Sequence, residues 1–186
     1  SYLMKLYESL VDRHLKEAME EGVRIIHLGR KDRIPKGLLT KITDAENKTR
    51  NNESYVLNIC IDYGGRDDIV RAVNKVIGEI REVGEKEFEK YLDTGDQPYP
   101  YVDLAIRTSG EQRTSGLWLW QAAYAETYWE LDHFPDFTPL KLREAILDYS
   151  RRRRRFGGND AEEHLKFNPK VVAGLELKWR KNLNRE

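Results

Sequence analysis

The sequence predicts an α/β fold in which a central, mostly parallel sheet is flanked by helices within a single domain. Three observations carry that prediction. Short β-branched apolar runs alternate along the chain with segments whose apolar residues recur at helical spacing, the pattern of βαβ units. One run, Tyr55 to Ile61, is nearly continuously apolar, as expected of a strand covered on both faces. The length, 186 residues, suits one core of ordinary size and is short for two.

The elements follow in order. Leu3, Leu6, Tyr7, Leu10, Val11, Leu15, Ala18 and Met19 form an apolar stripe, so 2–21 reads as an amphipathic helix stopped by Gly22. Val23 to Leu28, bounded by Gly22 and Gly29, is a strand. Ile34 to about Thr49 is a helix opened by Pro35 and weakened by its Asn and Thr content. After the strand at 55–61, Asp62-Tyr-Gly-Gly-Arg66 crosses into a helix from Asp67 to about Val83, its start favoured by Asp67 and Asp68. Glu85 to Leu92 is a short helix, and 93–100, with Gly95, Pro98 and Pro100, is a loop. Val102 to Ile106 is a strand, Gly116 to Tyr124 a helix and Tyr128 to Leu131 a strand. Thr138-Pro139 then caps a helix ending at Phe156-Gly157.

Composition removes several function classes. Lys+Arg and Asp+Glu are 32 each, and a zero net charge argues against a general nucleic-acid binder. The single cysteine, Cys60, lies in an apolar run and reads as a small core residue, which excludes a disulfide framework and suits a reducing cytosol. No apolar run reaches about 18 residues, so no transmembrane segment is predicted. There is no signal peptide, and Ser1 reads as already inside a helix, so the chain is expected to begin within a larger protein.

The chemistry concentrates in one stretch. Ligands of parallel sheets bind beyond the carboxyl ends of the strands. Tyr63-Gly-Gly-Arg66 and Arg107-Thr-Ser-Gly-Glu111 fall there, with glycines that would let backbone N–H groups approach an anion. Arg107, Arg113 and Ser115 suit phosphate oxygens, since guanidinium forks bind them bidentately. The residues alone leave two readings: an anion site, or a surface cluster in which these arginines pair with Glu111. Glu126, among Tyr124, Tyr128 and Trp129, needs a partner, which is either a metal or an arginine. Arg151 to Arg155 are five basic residues before Phe156-Gly157-Gly158, explicable as a helix C-terminus with a glycine cap. His14, His27, His133 and His164 lack ligand spacing and receive no role.

These motifs, Asp103-Leu-Ala-Ile-Arg-Thr-Ser-Gly-Glu111-Gln-Arg, Leu119-Trp-Gln-Ala-Ala-Tyr-Ala-Glu126, Phe134-Pro-Asp-Phe137 and Arg154-Arg-Phe-Gly-Gly158, closely resemble the cis-prenyltransferases, the undecaprenyl diphosphate synthase family. Tyr63-Gly-Gly-Arg66 fits at the right spacing. The resemblance covers residues 1 to about 158, which would be the catalytic domain, with 159–186 a polar, partly helical tail. It implies condensation of isopentenyl diphosphate with an allylic diphosphate such as farnesyl diphosphate, with Mg²⁺ as cofactor. It places isopentenyl diphosphate on Arg107, Arg113 and Ser115, magnesium on Glu126, and the Arg155-Phe-Gly157 element in the site of the partner subunit of a homodimer. It further implies a cytoplasmic enzyme that touches a membrane only peripherally, for product release.

The family's Met-Asp-Gly-Asn phosphate loop and its Glu-Asn-Trp segment are not found in this sequence. The catalytic aspartate is therefore expected upstream of Ser1, the 186 residues are expected to be inactive alone, and strands 23–28 and 102–106 are expected to show an open edge. The apolar surplus of the 2–21 helix and the 55–61 strand makes them candidate walls for the product tunnel. A non-catalytic subunit of a heteromeric prenyltransferase is the alternative, disfavoured by intact Arg107, Arg113, Ser115 and Glu126. A nucleic-acid module built on Arg151 to Arg155 is disfavoured by the charge balance.

Overall fold

The computed structural model describes residues 2–79 and 82–156. Nine α-helices and β-strands appear among them: α1 (Tyr2–Glu20), β1 (Val23–Leu28), α2 (Lys36–Thr49), β2 (Tyr55–Cys60), α3 (Gly65–Gly78), α4 (Glu85–Phe88), β3 (Leu104–Arg107), β4 (Glu126–Trp129) and α5 (Pro139–Arg151). The chain is α/β with parallel strand pairing, as the sequence predicts. Its contacts gather into two compact units, one formed by residues up to Pro100 with Gly116–Trp120, the other by Tyr101–Ser115 with the described residues from Gln121 onward.

In the first unit β1 pairs parallel with β2, from Val23 opposite Tyr55 to Leu28 opposite Cys60, and α2 makes the crossover between them. The helix-to-strand corner needs glycine. Gly22 has φ +69, and a Cβ there would lie 2.5 Å from Ser54 Oγ. Two apolar clusters bury the inner faces of α1 and α2: Ala18, Ile25 and Ala45, joined by Leu15 and Ile59, and Ile34, Leu38 and Ile42, joined by Tyr7 and Ile61. The Asn/Thr content expected to weaken α2 includes a tie. Fully buried Thr49 accepts the Ile25 N–H at 3.0 Å and donates to Ala45 O at 2.8 Å.

The edge of β1 expected to be open is covered here, because Thr49 takes the Ile25 N–H and Glu46 Oε1 takes the His27 N–H at 2.9 Å. β2 departs from expectation in the other direction. Tyr55 and Leu57 are about half exposed (49% and 48%), so its first half is not covered on both faces.

In the second unit β3 and β4 pair parallel, Leu104 opposite Glu126 through Arg107 opposite Trp129. Both strands sit off the predicted spans. β3 ends on Arg107 rather than Ile106, and β4 begins at Glu126 rather than Tyr128, which puts two candidate site residues inside strands. Thr138 caps α5 as predicted, its hydroxyl accepting the Lys141 N–H, with Pro139 in the first turn.

Four predicted helices change, the 85–92 segment being α-helical only over Glu85–Phe88 before a 3₁₀ turn at Glu89–Tyr91. Segment 116–124 is a run of turns, because Gly116 and Trp118 hold left-handed backbone (φ +79 and +49) that no α-helix admits. α3 begins at Gly65 and ends at Gly78, short of Val83. α5 ends at Arg151, not at Phe156, since Arg152 turns to extended backbone (ψ 148). Gly157, Gly158 and the 159–186 tail lie outside the described residues.

Candidate functional site

Arg107 closes β3 and Ser115 closes the loop that follows, and the structure brings them together. Arg107 Nη2 donates to Ser115 Oγ at 3.4 Å. The loop holds its shape by main-chain bonds to the segment leaving β4: Ser109 N–H to Asp132 O (2.7 Å), Gly110 N–H to Glu130 O (2.9 Å) and Glu130 N–H to Arg107 O (2.8 Å). Ser109, Gly110 and Ser115 all adopt positive φ (+68, +66 and +53). The N–H groups of Ser109 and Gly110 are thus consumed by the fold, and the anion-binding use expected for this loop's backbone is not met. The side chains that the loop brings together for a ligand are the Arg107 guanidinium and the Ser115 hydroxyl. Arg113 is not in that pair; its guanidinium lies directly on the Glu111 carboxylate, the pairing that the sequence held open as the alternative.

The segment that anchors the loop carries groups to which sequence reasoning assigned no role. Glu130 is buried and accepts from the Asp132 N–H at 3.0 Å and from Lys141 Nζ at 3.0 Å, and these two bonds, the main-chain one first, hold its carboxyl below the usual range. Lys141 also contacts Asp132. His133 Nδ1 stands 3.0 Å from Ser109 Oγ. No local spacing announces these contacts, which join β4's exit to α5 and to the loop.

Glu126 opens β4, about one third exposed at its side chain (31%), with Oε2 accepting from Arg152 Nη1 at 3.1 Å. Arg152 also donates to Thr127 O (2.8 Å) and through Nε to Asp148 (2.8 Å). The Asp148–Arg152 spacing is the (i, i+4) pattern, readable from sequence. This fixation explains the early end of α5: Arg152 must leave the helix to reach β4. Arg154 is drawn in likewise, contacting Asp103, donating to Tyr149 Oη at 2.9 Å and lying 4.4 Å over the Phe156 ring. The arginine run is therefore not one solvated helical stripe. Arg155 is exposed, and Gly157 falls outside the described residues.

Among the described residues no three His, Cys, Asp or Glu side chains gather into a metal cage. Magnesium does not require one, since one or two carboxylates plus substrate phosphates suffice. Glu126 fits that demand as a single hard oxygen ligand, with Arg152 on one of its two oxygens.

The other predicted loop, Tyr63-Gly-Gly-Arg66, serves the packing of the first unit. Gly65 N–H donates to Gly116 O at 2.8 Å, and a Cβ on Gly65 would meet that same oxygen at 2.7 Å. Tyr63 Oη donates to fully buried Asp68 at 2.9 Å, and burial first, then the Asp68 charge, pushes the Tyr63 phenol well up. Arg71 forks onto Asp93 at 2.6 and 2.7 Å, and Asp93 accepts the Gly29 N–H at 2.9 Å. Asp67 and Asp68 thus belong to an ion-pair network.

Residues 1–157 match the family model described as "Putative undecaprenyl diphosphate synthase". The chain belongs to the undecaprenyl diphosphate synthase family. It is 40% identical over 157 residues to an isoprenyl transferase of Aquifex aeolicus, covering 83% of this chain and 67% of that protein. Over 164 residues it is 37% identical to a ditrans,polycis-undecaprenyl-diphosphate synthase of Legionella pneumophila, described as farnesyl-diphosphate specific, covering 84% of this chain and 68% of that one. Lavandulyl diphosphate synthase from Lavandula x intermedia, solved in complex with dimethylallyl diphosphate, superposes with a TM-score of 0.81 at 34% identity, covering 84% of this chain and 70% of its own. The chain spans about two thirds of the length of these curated relatives. No helix among the described residues is long and apolar enough to cross a membrane.

Proposed function

We propose that this chain carries the isopentenyl diphosphate site of a cis-prenyltransferase that condenses isopentenyl diphosphate with an allylic diphosphate such as farnesyl diphosphate. The observation that carries the reading is the convergence of Arg107 and Ser115 at 3.4 Å beyond the carboxyl end of a parallel strand, in a member of this family. Arg107 would hold the diphosphate by a charge-assisted fork, with Ser115 donating its hydroxyl beside it. Arg113 would join by exchanging Glu111 for phosphate, a change open to a side chain 65% exposed.

In the reaction so assigned, the allylic C–O bond breaks, the alkene of isopentenyl diphosphate attacks the allylic carbon, and a proton is lost. The chain's own residues orient the nucleophilic substrate and balance its diphosphate charge. Glu126 would hold Mg²⁺, which when bound neutralises charge developing on the departing diphosphate. The exposed apolar side chains Leu6 and Leu10 of α1 suit a hydrocarbon chain laid along that helix. The same proposal includes a cytoplasmic homodimer, with Arg155 and Gly157 reaching the partner's site and peripheral membrane contact at product release.

The test is an assay of the full-length parent protein with farnesyl and isopentenyl diphosphates and Mg²⁺, reading cis-polyprenyl diphosphate by mass. The 186 residues assayed alone should not turn over, because Glu126 by itself would leave the metal under-held and the sequence carries no match to the family's Met-Asp-Gly-Asn phosphate loop. Absence of condensation by the parent defeats the reading.

A further inference from the structure

Ser109 holds a left-handed conformation (φ +68) that a side chain bearing a Cβ disfavours, and it is followed by Gly110 at φ +66. Three links keep it there. Two are main-chain bonds, Ser109 N–H to Asp132 O and Gly110 N–H to Glu130 O, which any residue pair could make. The third depends on side-chain identity: Ser109 Oγ and His133 Nδ1 are 3.0 Å apart, hydrogen-bonded in the direction set by the imidazole tautomer.

His133 is itself placed on a fixed segment. Its carbonyl accepts the Asp136 N–H at 2.9 Å at the head of a single turn of 3₁₀ helix, Phe134–Asp136. Glu130 and Asp132, just before it, are tied to each other and to Lys141 of α5. A fixed imidazole therefore grips Ser109, a non-glycine residue held left-handed at the head of the turn. That turn begins where Arg107 ends and returns to Ser115.

We propose that His133 is a positioning residue for the diphosphate-binding loop. Its bond to Ser109 stabilises the left-handed turn and so sets where Arg107 and Ser115 stand. This rests on the reading that those two groups hold isopentenyl diphosphate. A hydroxyl can bond the imidazole in either tautomer, so the role requires only that the ring be present.

The experiment uses the full-length protein and measures isopentenyl diphosphate binding by calorimetry alongside KM and kcat. His133→Ala should weaken binding and raise KM together, by about three- to tenfold, with kcat within about twofold. His133→Gln, which keeps a donor and an acceptor, should recover most of the loss. The decisive arm is the double variant. Ser109→Gly accepts φ +68 without assistance, so His133→Ala added to Ser109→Gly should change binding by less than about 1.5-fold. Equal effects of His133→Ala in both backgrounds, or none in either, overturn the proposal. Arg107→Ala separates the layers. If it weakens binding while His133→Ala does not, only the positioning role falls; if it leaves binding unchanged, the site reading falls and the proposal with it.

Discussion

Arg152 Nη1 stands 3.1 Å from Glu126 Oε2, and the same guanidinium grips Asp148 and the Thr127 carbonyl. The carboxylate assigned to magnesium therefore has a resident partner. Glu126→Gln keeps the shape and removes the charge. If Glu126 serves the metal, the variant of the full-length protein should need at least about tenfold more Mg²⁺ for half-maximal turnover, a loss of about 1.4 kcal/mol or more in metal binding. If it only pairs with Arg152, the Mg²⁺ dependence stays put and the unfolding free energy falls by no more than about 1 kcal/mol. A magnesium titration and a urea melt on the same preparation separate the two.

Arg107→Ala should raise KM for isopentenyl diphosphate at least about tenfold, consistent with about 1.5–3 kcal/mol for a charge-assisted bond. Arg107→Lys should recover part of that, because a point charge restores attraction without the second bond. Arg113→Ala should cost less, since its guanidinium must first leave Glu111. Steady-state kinetics with varied isopentenyl diphosphate read all three, and an unchanged KM in Arg107→Ala removes that residue from the site.

Much of this was legible in the chain, and the misreadings have physical causes. Helices α1 and α2 and strands β1 and β2 announced themselves because periodicity and glycine boundaries are local signals. β3 and β4 slipped by one and two residues because Arg107 and Glu126, polar at the strand ends, break the apolar run that marks a strand. The helix foreseen at 116–124 failed because apolar spacing cannot reveal left-handed backbone at a tryptophan. Arg107, Ser115 and Glu126 were singled out by residue type and order, and the fold brings the first two together while it sets Glu126 against Arg152. Lys141 and His133 were missed because Lys141 meets Glu130 across 11 residues and His133 meets Ser109 across 24, beyond any local pattern.

The proposed homodimer makes a cross-subunit prediction. Arg107→Ala and Arg155→Ala should each turn over slowly in the full-length protein at isopentenyl diphosphate concentrations well below the variants' KM. If Arg155 serves the partner's site, mixing the two should yield hybrid dimers with one intact site, recovering up to about a quarter of wild-type activity for random exchange. A sedimenting monomer at micromolar concentration, or no recovery after subunit exchange, rejects the arrangement.

His27 is buried, with Nε2 bonded to Ile61 O at 2.9 Å, and burial above all lowers its pKa from 6.5. A depressed folded value means that the unfolded chain binds the proton first. The stabilisation is full above about 6.5 and is lost as pH falls toward the lowered folded value. Wild type should therefore lose stability between about pH 7.5 and about pH 5.5, while His27→Gln, which can keep the bond to Ile61, should lose less. Urea unfolding at both pH values reads the difference, and parallel slopes for the two proteins reject His27 as the titrating group.

The adjacent glycines of Tyr63-Gly-Gly-Arg66 provide the last test, because phosphate binding and packing predict different outcomes for them. A loop whose backbone cradles an anion would suffer from a side chain at either position. The structure distinguishes them. A Cβ on Gly65 meets Gly116 O at 2.7 Å and Leu119 N at 2.9 Å, both backbone atoms that cannot step aside cheaply, whereas one on Gly64 meets nothing within 4 Å. Gly64 also has φ −145, ordinary extended backbone open to alanine. Gly65→Ala should therefore destabilise by about 1–3 kcal/mol as overpacking, and should loosen the 116–120 turn that receives its N–H. Gly64→Ala should leave the fold within about 0.5 kcal/mol of wild type and isopentenyl diphosphate binding unchanged. Chemical denaturation and calorimetric binding of both variants decide it: equal folding stability with a shared loss of diphosphate affinity would return this loop to the ligand and overturn the packing account.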